Sequence, residues 1–144
     1  MLSINYPEPA FRIKKENEKE FIFDAIRRKW LLLTPEEWVR QNFIQYLLQE
    51  MNYPQAFIAL EKEIQLGELR KRFDILVYDR THQPWMMIEC KAPTVPLTKD
   101  VLAQLLRYNI TVPVEYMAIT NGSNTIAWRK IGQQLEVIDR LPVL

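Results

Sequence analysis

The chain has 144 residues, 48% hydrophobic and 26% charged, which fits one folded domain with one sizeable core and excludes a disordered tail. Its net charge of +1 gives no whole-molecule field for nucleic acid, so any basic surface has to be local. A single cysteine (Cys90), a single histidine (His82) and three glycines exclude an internal disulfide, a Cys/His zinc site and a Gly-rich phosphate loop.

No apolar run approaches the ~20 residues that span a bilayer, and the first twenty residues lack the apolar stretch of a signal peptide. A cytoplasmic protein with no membrane contact is expected. Residues 1–10, with Pro7 and Pro9, read as a lead-in arm, and residues 11–144 as a single domain. From Phe11 to Asp24 the chain alternates about the polar centre Lys15-Glu-Asn-Glu-Lys19, which predicts a β-hairpin. The basic stretch Arg27-Arg28-Lys29 then reads as a solvated face or turn.

Thr34-Pro35-Glu36-Glu37 is a helix start, with Thr34 as N-cap, Pro35 at the first helical position and Glu37 completing a capping box. Val39, Phe43, Leu47 and Met51 recur at four-residue spacing and predict an amphipathic helix ending near Asn52-Tyr53-Pro54. Strands are expected at about 57–66, 70–78 and 85–91, the second and third joined by the polar turn that contains His82. Thr98 can cap a second helix running to about Asn109. Strands at 115–120, 125–130 and 135–138 complete a mixed α/β layout, with helices packed on a mixed sheet.

The chemistry concentrates on the hairpin. Side chains alternate faces along a strand, so Phe73, Ile75 and Val77 are expected on one face and Asp74 on the other; Glu89 and Lys91 share a face. Asp74 and Glu89 are equidistant from the centre of the turn between Thr81 and His82. An unbulged hairpin places them directly opposite, with Cβ atoms ~4.5–5.5 Å apart. Two ionised carboxylates that close repel, and their flanks, Ile75-Leu-Val77 and Trp85-Met-Met-Ile88, are apolar. A hard divalent cation, Mg²⁺ or Mn²⁺, would offset the repulsion. Asp74, Glu89 and the Cys90 backbone carbonyl are candidate ligands, and Lys91 the candidate for orienting or activating a water. The bland alternative is a hairpin carrying a carboxylate–lysine ion pair. Arg70 and Arg72 share a face with Asp74 and can contact phosphate, or can be a charged edge guarding a strand. Trp38, Trp85 and Trp128 can stack bases, though core packing explains them as well.

Thr34-Pro-Glu-Glu-Trp-Val-Arg-Gln41, Arg72-Phe-Asp-Ile-Leu-Val-Tyr-Asp79, Ile88-Glu-Cys-Lys-Ala-Pro93, Gln104-Leu-Leu-Arg-Tyr-Asn109 and Thr120-Asn-Gly122 occur in this order. Together they resemble the N-terminal nuclease domain of type I restriction enzyme R subunits, and more closely the compact stand-alone proteins related to it. The resemblance spans roughly residues 11–130. It implies the PD-(D/E)XK nuclease fold, with core order helix-strand-strand-strand-helix-strand and here an N-terminal hairpin extension. It implies Mg²⁺-dependent hydrolysis of DNA, with Asp74, Glu89 and Lys91 as the catalytic acid, acid and lysine. Gln104 and Tyr108 match the QxxxY motif of several such nucleases, and Glu37 matches a first-helix glutamate that often approaches the metal. The residue before Asp74 is Phe73 where proline is common. No ATP-driven motor fits within 144 residues, so ATP-dependent restriction by this chain alone is not expected. The competing expectation is a non-catalytic module retaining the fold, which binds nucleic acid or docks on a partner, either a second copy or a separate restriction or helicase subunit.

Overall fold

The computed structural model describes residues 1–109 and 112–144, with all their side chains except those of Leu66, Leu69 and Tyr108. Two sheets form. The first contains β1 (Ile13–Glu16), β2 (Lys19–Asp24) and β3 (Lys29–Leu32), antiparallel in that order. The predicted hairpin is β1–β2, and it closes on Asn17 and Glu18, both at positive φ (51° and 66°) as a two-residue hairpin turn requires. The third strand was not expected. Arg27 and Arg28 do lie in a turn, but Lys29 opens a four-residue strand whose Trp30 pairs with Phe23.

Next come α1 (Pro35–Gln45), a π-helical turn (Tyr46–Glu50), β4 (Ile58–Leu66), β5 (Leu69–Tyr78), β6 (Pro84–Cys90), α2 (Lys99–Asn109), β7 (Tyr116–Thr120), β8 (Thr125–Ile131) and β9 (Gln134–Ile138). The second sheet runs β4 to β9 in sequence order. All its neighbours are antiparallel except β6 and β7, which run parallel because α2 carries the chain back across the sheet. The protein is therefore a mixed α+β structure, with helix, three strands, helix and strand in the expected order.

The helix starts are local and strong. The Thr34 hydroxyl accepts from the Glu37 N–H at 3.0 Å, with Pro35 at the first position. The Thr98 hydroxyl accepts from the Val101 N–H at 3.3 Å. Val39, Phe43, Ile44 and Leu47 form the buried stripe of α1 and its extension, packed on Ile58, Leu60, Ile75, Val77, Met86, Ile88 and Cys90. On the other face, Leu102, Leu105 and Leu106 of α2 pack over Phe73, Leu76, Met87, Met117, Ile119 and Trp128. The sheet is buried on both faces, which is why β6 reads as a nearly continuous apolar run.

Two expectations fail here. Phe73 does not share a face with Ile75 and Val77; it packs with Leu76 on the α2 side. The cause lies across the ladder. Glu61 of β4 sits at φ +49°, and pairing skips from Leu60–Ile75 to Lys62–Phe73, so strand alternation breaks at Asp74. Residues 1–10 are also more than a lead-in arm. Leu2 is buried and its N–H donates to the Thr125 carbonyl at 2.8 Å, while Tyr6 packs edge-on to Tyr46.

Candidate functional site

β5 and β6 pair as Val77–Met86, Leu76–Met87 and Ile75–Ile88, the register expected from the turn centre, although a bulge intervenes at Val77/Tyr78. Near the turn, Asp79 caps the loop by accepting from the Thr81 and Gln83 amides, and His82 sits there at φ +65°. Pairing ends at Ile75–Ile88. Asp74 and Glu89 therefore lie one step beyond the ladder rather than as a ladder pair. Freed from that pairing, Asp74 turns its Oδ2 to the Cys90 N–H, which donates at 2.8 Å. Glu89 stays in the sheet through β7, opposite Ile119.

The two acids remain close. Burial first, then the neighbouring Asp74 charge and a hydrogen bond between the two carboxyls, push the Glu89 carboxyl up to about 8; Lys91 pulls it the other way. Glu36 adds a further negative charge. Cys90 is buried beneath them, and burial, reinforced by Asp74, holds its thiol well above the ordinary range. Its sulfur packs in the core, and its amide is the group that meets Asp74. Among the described residues no group of three or more His, Cys, Asp or Glu side chains is arranged to hold a metal ion. Two carboxylates, Asp74 and Glu89, are the acids that the fold brings together here.

Lys91 faces a cleft of about 440 Å³ that it lines with Val95, Val101, Gln104 and Leu105. α2 thus brings Gln104 beside the lysine, across the loop 92–98. The Tyr108 side chain, the other half of the QxxxY pattern, lies outside the described residues. The loop is tied down by Asn121, whose amide donates to the Val95 carbonyl at 2.9 Å while its Oδ1 accepts from the Ser123 and Asn124 amides. Gly122 follows at φ +95°, and a Cβ there would meet Val39 of α1 at 3.3 Å. The Thr120-Asn-Gly motif is accounted for by this close approach.

Behind Asp74 lies an ion-pair cluster that sequence spacing does not reveal. Arg40 of α1 places Nη2 3.8 Å from Asp74 Oδ1 and donates through Nη1 to Glu61 Oε1 at 2.9 Å. Arg27 donates to Glu61 Oε2 at 2.9 Å and to Asp24 Oδ2 at 2.9 Å, and Gln41 joins Asp24 to Glu37. The Arg40 hydrogen bond, against the effect of burial, holds the Glu61 carboxyl down at about 2. Arg40 is raised above its ordinary value in spite of its burial, through Glu61, Glu37 and Asp74.

Glu37 belongs to this cluster. Its backbone makes the expected cap contact, but its carboxylate meets Gln41 at 3.2 Å, Arg40 at 3.6 Å and Arg27 at 3.9 Å, so the reciprocal half of a capping box is replaced. Glu36 is the first-turn acid whose charge acts on Glu89 and Cys90. The i,i+4 spacing of Glu36 and Arg40 was the available signal for that pair. Arg27, read as solvated, is largely covered. Arg70 and Arg72 are exposed, at 70% and 66% for their side chains; Arg70 lies 3.7 Å from Glu63, and Arg72 lies 3.1 Å from Glu61. Trp128 is core, while Trp38 and Trp85 make edge-on contacts with Phe11 and with Tyr53 and Tyr116.

A family model, the type I restriction enzyme R protein N terminus, matches residues 35–142. The chain belongs to that family. A search of curated proteins found no match. The stretch shared with the type I restriction R-protein N terminus runs from α1 to beyond β9 and carries Asp74, Glu89, Lys91 and Gln104 together with Arg40 and Glu61. The three-stranded sheet β1–β3 lies before it. Among the described residues, no helix is long and apolar enough to cross a membrane.

Proposed function

We propose that the protein hydrolyses DNA phosphodiester bonds with Mg²⁺ or Mn²⁺, on a PD-(D/E)XK-type nuclease core built from α1, β4–β6, α2 and β7. One observation carries the reading: two carboxylates, Asp74 and Glu89, are held side by side at the end of the β5–β6 ladder, and burial first, then the Asp74 charge, lifts Glu89 to about 8. A bound cation would relieve the repulsion between the two. The donor set fits a hard divalent ion, which takes oxygen ligands and keeps several waters of its own. Asp74 Oδ1, the Glu89 carboxylate and the Cys90 carbonyl would hold it.

When bound, the ion would polarise a phosphoryl oxygen and acidify a water. The chain's own groups supply the rest. The Cys90 N–H fixes Asp74 Oδ2, and Oδ1, 3.8 Å from Arg40 Nη2, is the oxygen left for a cation. Lys91, beside Glu89 and open to the cleft, holds a water or the scissile phosphate through its ammonium. Gln104 can hydrogen-bond the backbone lying in that cleft. Arg70 and Arg72, exposed and on the strand that carries Asp74, provide phosphate contacts outside the centre. The family assignment supports DNA as the substrate class and a larger restriction assembly as a partner.

A second reading, a non-catalytic module that binds nucleic acid or docks on a partner subunit, is favoured by Arg40. Its guanidinium, 3.8 Å from Asp74 Oδ1, already offsets part of the negative charge. The two readings separate in one experiment. Calorimetric titration of the purified protein with Mn²⁺, and incubation with plasmid, linear and single-stranded DNA, should give binding and cleavage. Both should vanish on chelation, and cleavage alone should vanish in Lys91→Ala. DNA binding that is indifferent to EDTA, with no turnover and no heat of Mn²⁺ binding, would sink the nuclease reading and leave the module.

A further inference from the structure

The first sheet has an inner and an outer face. Ile22 and Asp24 point inward, both fully buried, and Asp24 is tied to Arg27 and Gln41. Strand alternation puts Phe21 and Phe23 of β2 on the outer face, with Lys19. Across the ladder, Lys14 and Leu32 pair with Phe21, and Trp30 pairs with Phe23; the Arg12 carbonyl accepts from the Phe23 N–H. Three aromatic rings therefore lie side by side on a small sheet, Phe23 and Trp30 with centroids 5.3 Å apart. They are only partly covered, and Leu32 beside them is 48% exposed.

Cations are laid over these rings. The Arg12 guanidinium lies 4.6 Å from the Phe23 centroid and 5.3 Å from Trp30, and the Lys14 ammonium lies 4.5 Å from Trp30 and 6.0 Å from Phe21. Lys14 also meets Glu16 at 3.5 Å, the one acid on this face of β1 and β2. A core-facing surface does not take charges over its rings, and a plain solvated face does not take three aromatics. An aromatic surface fringed by cations, with Phe23 and Trp30 set edge to face at 70°, is complementary to one class of ligand: a flexible polyanion that carries its own planar groups. Exposed cation–π contacts are weak, so phosphates can draw Arg12 and Lys14 aside and leave ring faces for bases. Duplex DNA keeps its base faces hidden in the stack, whereas a single strand offers them.

We propose that the outer face of β1–β3 is a binding platform for single-stranded nucleic acid, with bases stacked on Phe21, Phe23 and Trp30 and phosphates held by Arg12, Lys14 and Lys19. This platform lies outside the stretch that the family model matches and does not depend on the metal centre. It would hold an unpaired strand or flap on the same small body as the candidate nuclease site.

The test is done in EDTA with the whole chain, so that the outcome is independent of any cleavage. A fluorescein-labelled oligothymidylate is titrated with protein and followed by anisotropy, with a duplex of equal length as comparison. The single strand should bind more tightly than the duplex and quench tryptophan emission. Phe21→Ser with Trp30→Ala should weaken single-strand binding by roughly five- to a hundredfold. Arg12→Gln with Lys14→Gln leaves the rings and the folded sheet in place; it should lower affinity and flatten the salt dependence by a slope of about 1.4. Circular dichroism confirms that each variant is folded. Absence of single-strand binding, preference for duplex, or binding unchanged in the folded Arg12/Lys14 variant would overturn the proposal.

Discussion

Glu89 answers to two conflicting demands. A carboxylate that is to hold a cation, as proposed for Glu89, has to be ionised, yet burial first and then the Asp74 charge push this carboxyl up to about 8. The folded-state value lies above the ordinary one, so between roughly pH 4.5 and 8 the native protein binds more protons than the unfolded chain. Stability contributed by the protonated form is present at low pH and lost as pH rises through about 8. In EDTA, melting temperature should therefore fall from pH 5.5 to pH 8.5, and Mg²⁺ or Mn²⁺ should restore it at the upper end by mass action. A flat profile would show that Glu89 titrates normally. By the same reasoning Glu89→Gln, which cannot ionise, should melt several degrees higher than the native chain at pH 8.5 in EDTA while losing all cleavage, since roughly 1 kcal/mol moves a domain of this size by ~2–8 °C. Thermal melts of the pair at two pH values check both.

At the scale of elements, the join between α1 and the sheet rests on buried charge. Arg40 is 7% exposed at its side chain and serves Glu61, Glu37 and Asp74 together. Arg40→Ala leaves Asp74 without its cation and Glu61 and Glu37 with only Arg27, Arg72 and Gln41, and its cost in urea unfolding should be on the order of 2–3 kcal/mol; Thr34→Ala, which removes only the cap, should cost about 1 kcal/mol. If the two substitutions cost the same, the cluster is not holding α1. Gly122→Ala tests a different contact: its φ of +95° and the 3.3 Å approach to Val39 predict destabilisation with displacement of the 92–98 loop, and so weaker cleavage at the proposed site, whose cleft Lys91 and Gln104 line.

The same scale shows what the sequence makes legible. Capped helices, alternating strands and the hairpin register are written in local patterns, and Thr34, Thr98 and the Asp79–Gln83 turn all act as their residue types dictate. The missed features depend on distant partners. β3 is four residues long and begins inside a basic run, too short to show periodicity. The side on which Phe73 packs depends on Glu61, twelve residues earlier and on another strand. Arg27, Arg40 and Glu61 come from three different elements, so no spacing rule joins them. For the candidate site, the closeness of Asp74 and Glu89 was readable because hairpin symmetry is local, whereas Gln104 was marked only through the family motif; the turn of Glu37 toward the arginines was not readable.

Considered whole, the molecule is closed by its own ends. Leu2 pairs with Thr125 of β8, Tyr6 packs on Tyr46, and the Tyr53 hydroxyl donates to the Pro142 carbonyl. Deleting residues 2–7 should therefore lower the melting temperature by several degrees rather than leave it unchanged, as removal of a loose arm would. Limited proteolysis checks the same point, because residues 2–7 should resist trimming.

The Cys90 amide has a consequence for spectroscopy. It is the proton that Asp74 accepts, it is buried beside Glu89, and it belongs to the protein's single cysteine, which makes selective ¹⁵N labelling straightforward. An amide bonded to a carboxylate resonates far downfield, and its shift follows the charge on that oxygen. One peak would then report, without turnover or any mutation, the ionisation of the acidic pair on raising pH and, on the proposed metal site, the arrival of Mg²⁺; Mn²⁺ would broaden it together with the other amides around the pair. The centre carries its own gauge, and a titration can be read from a single resonance.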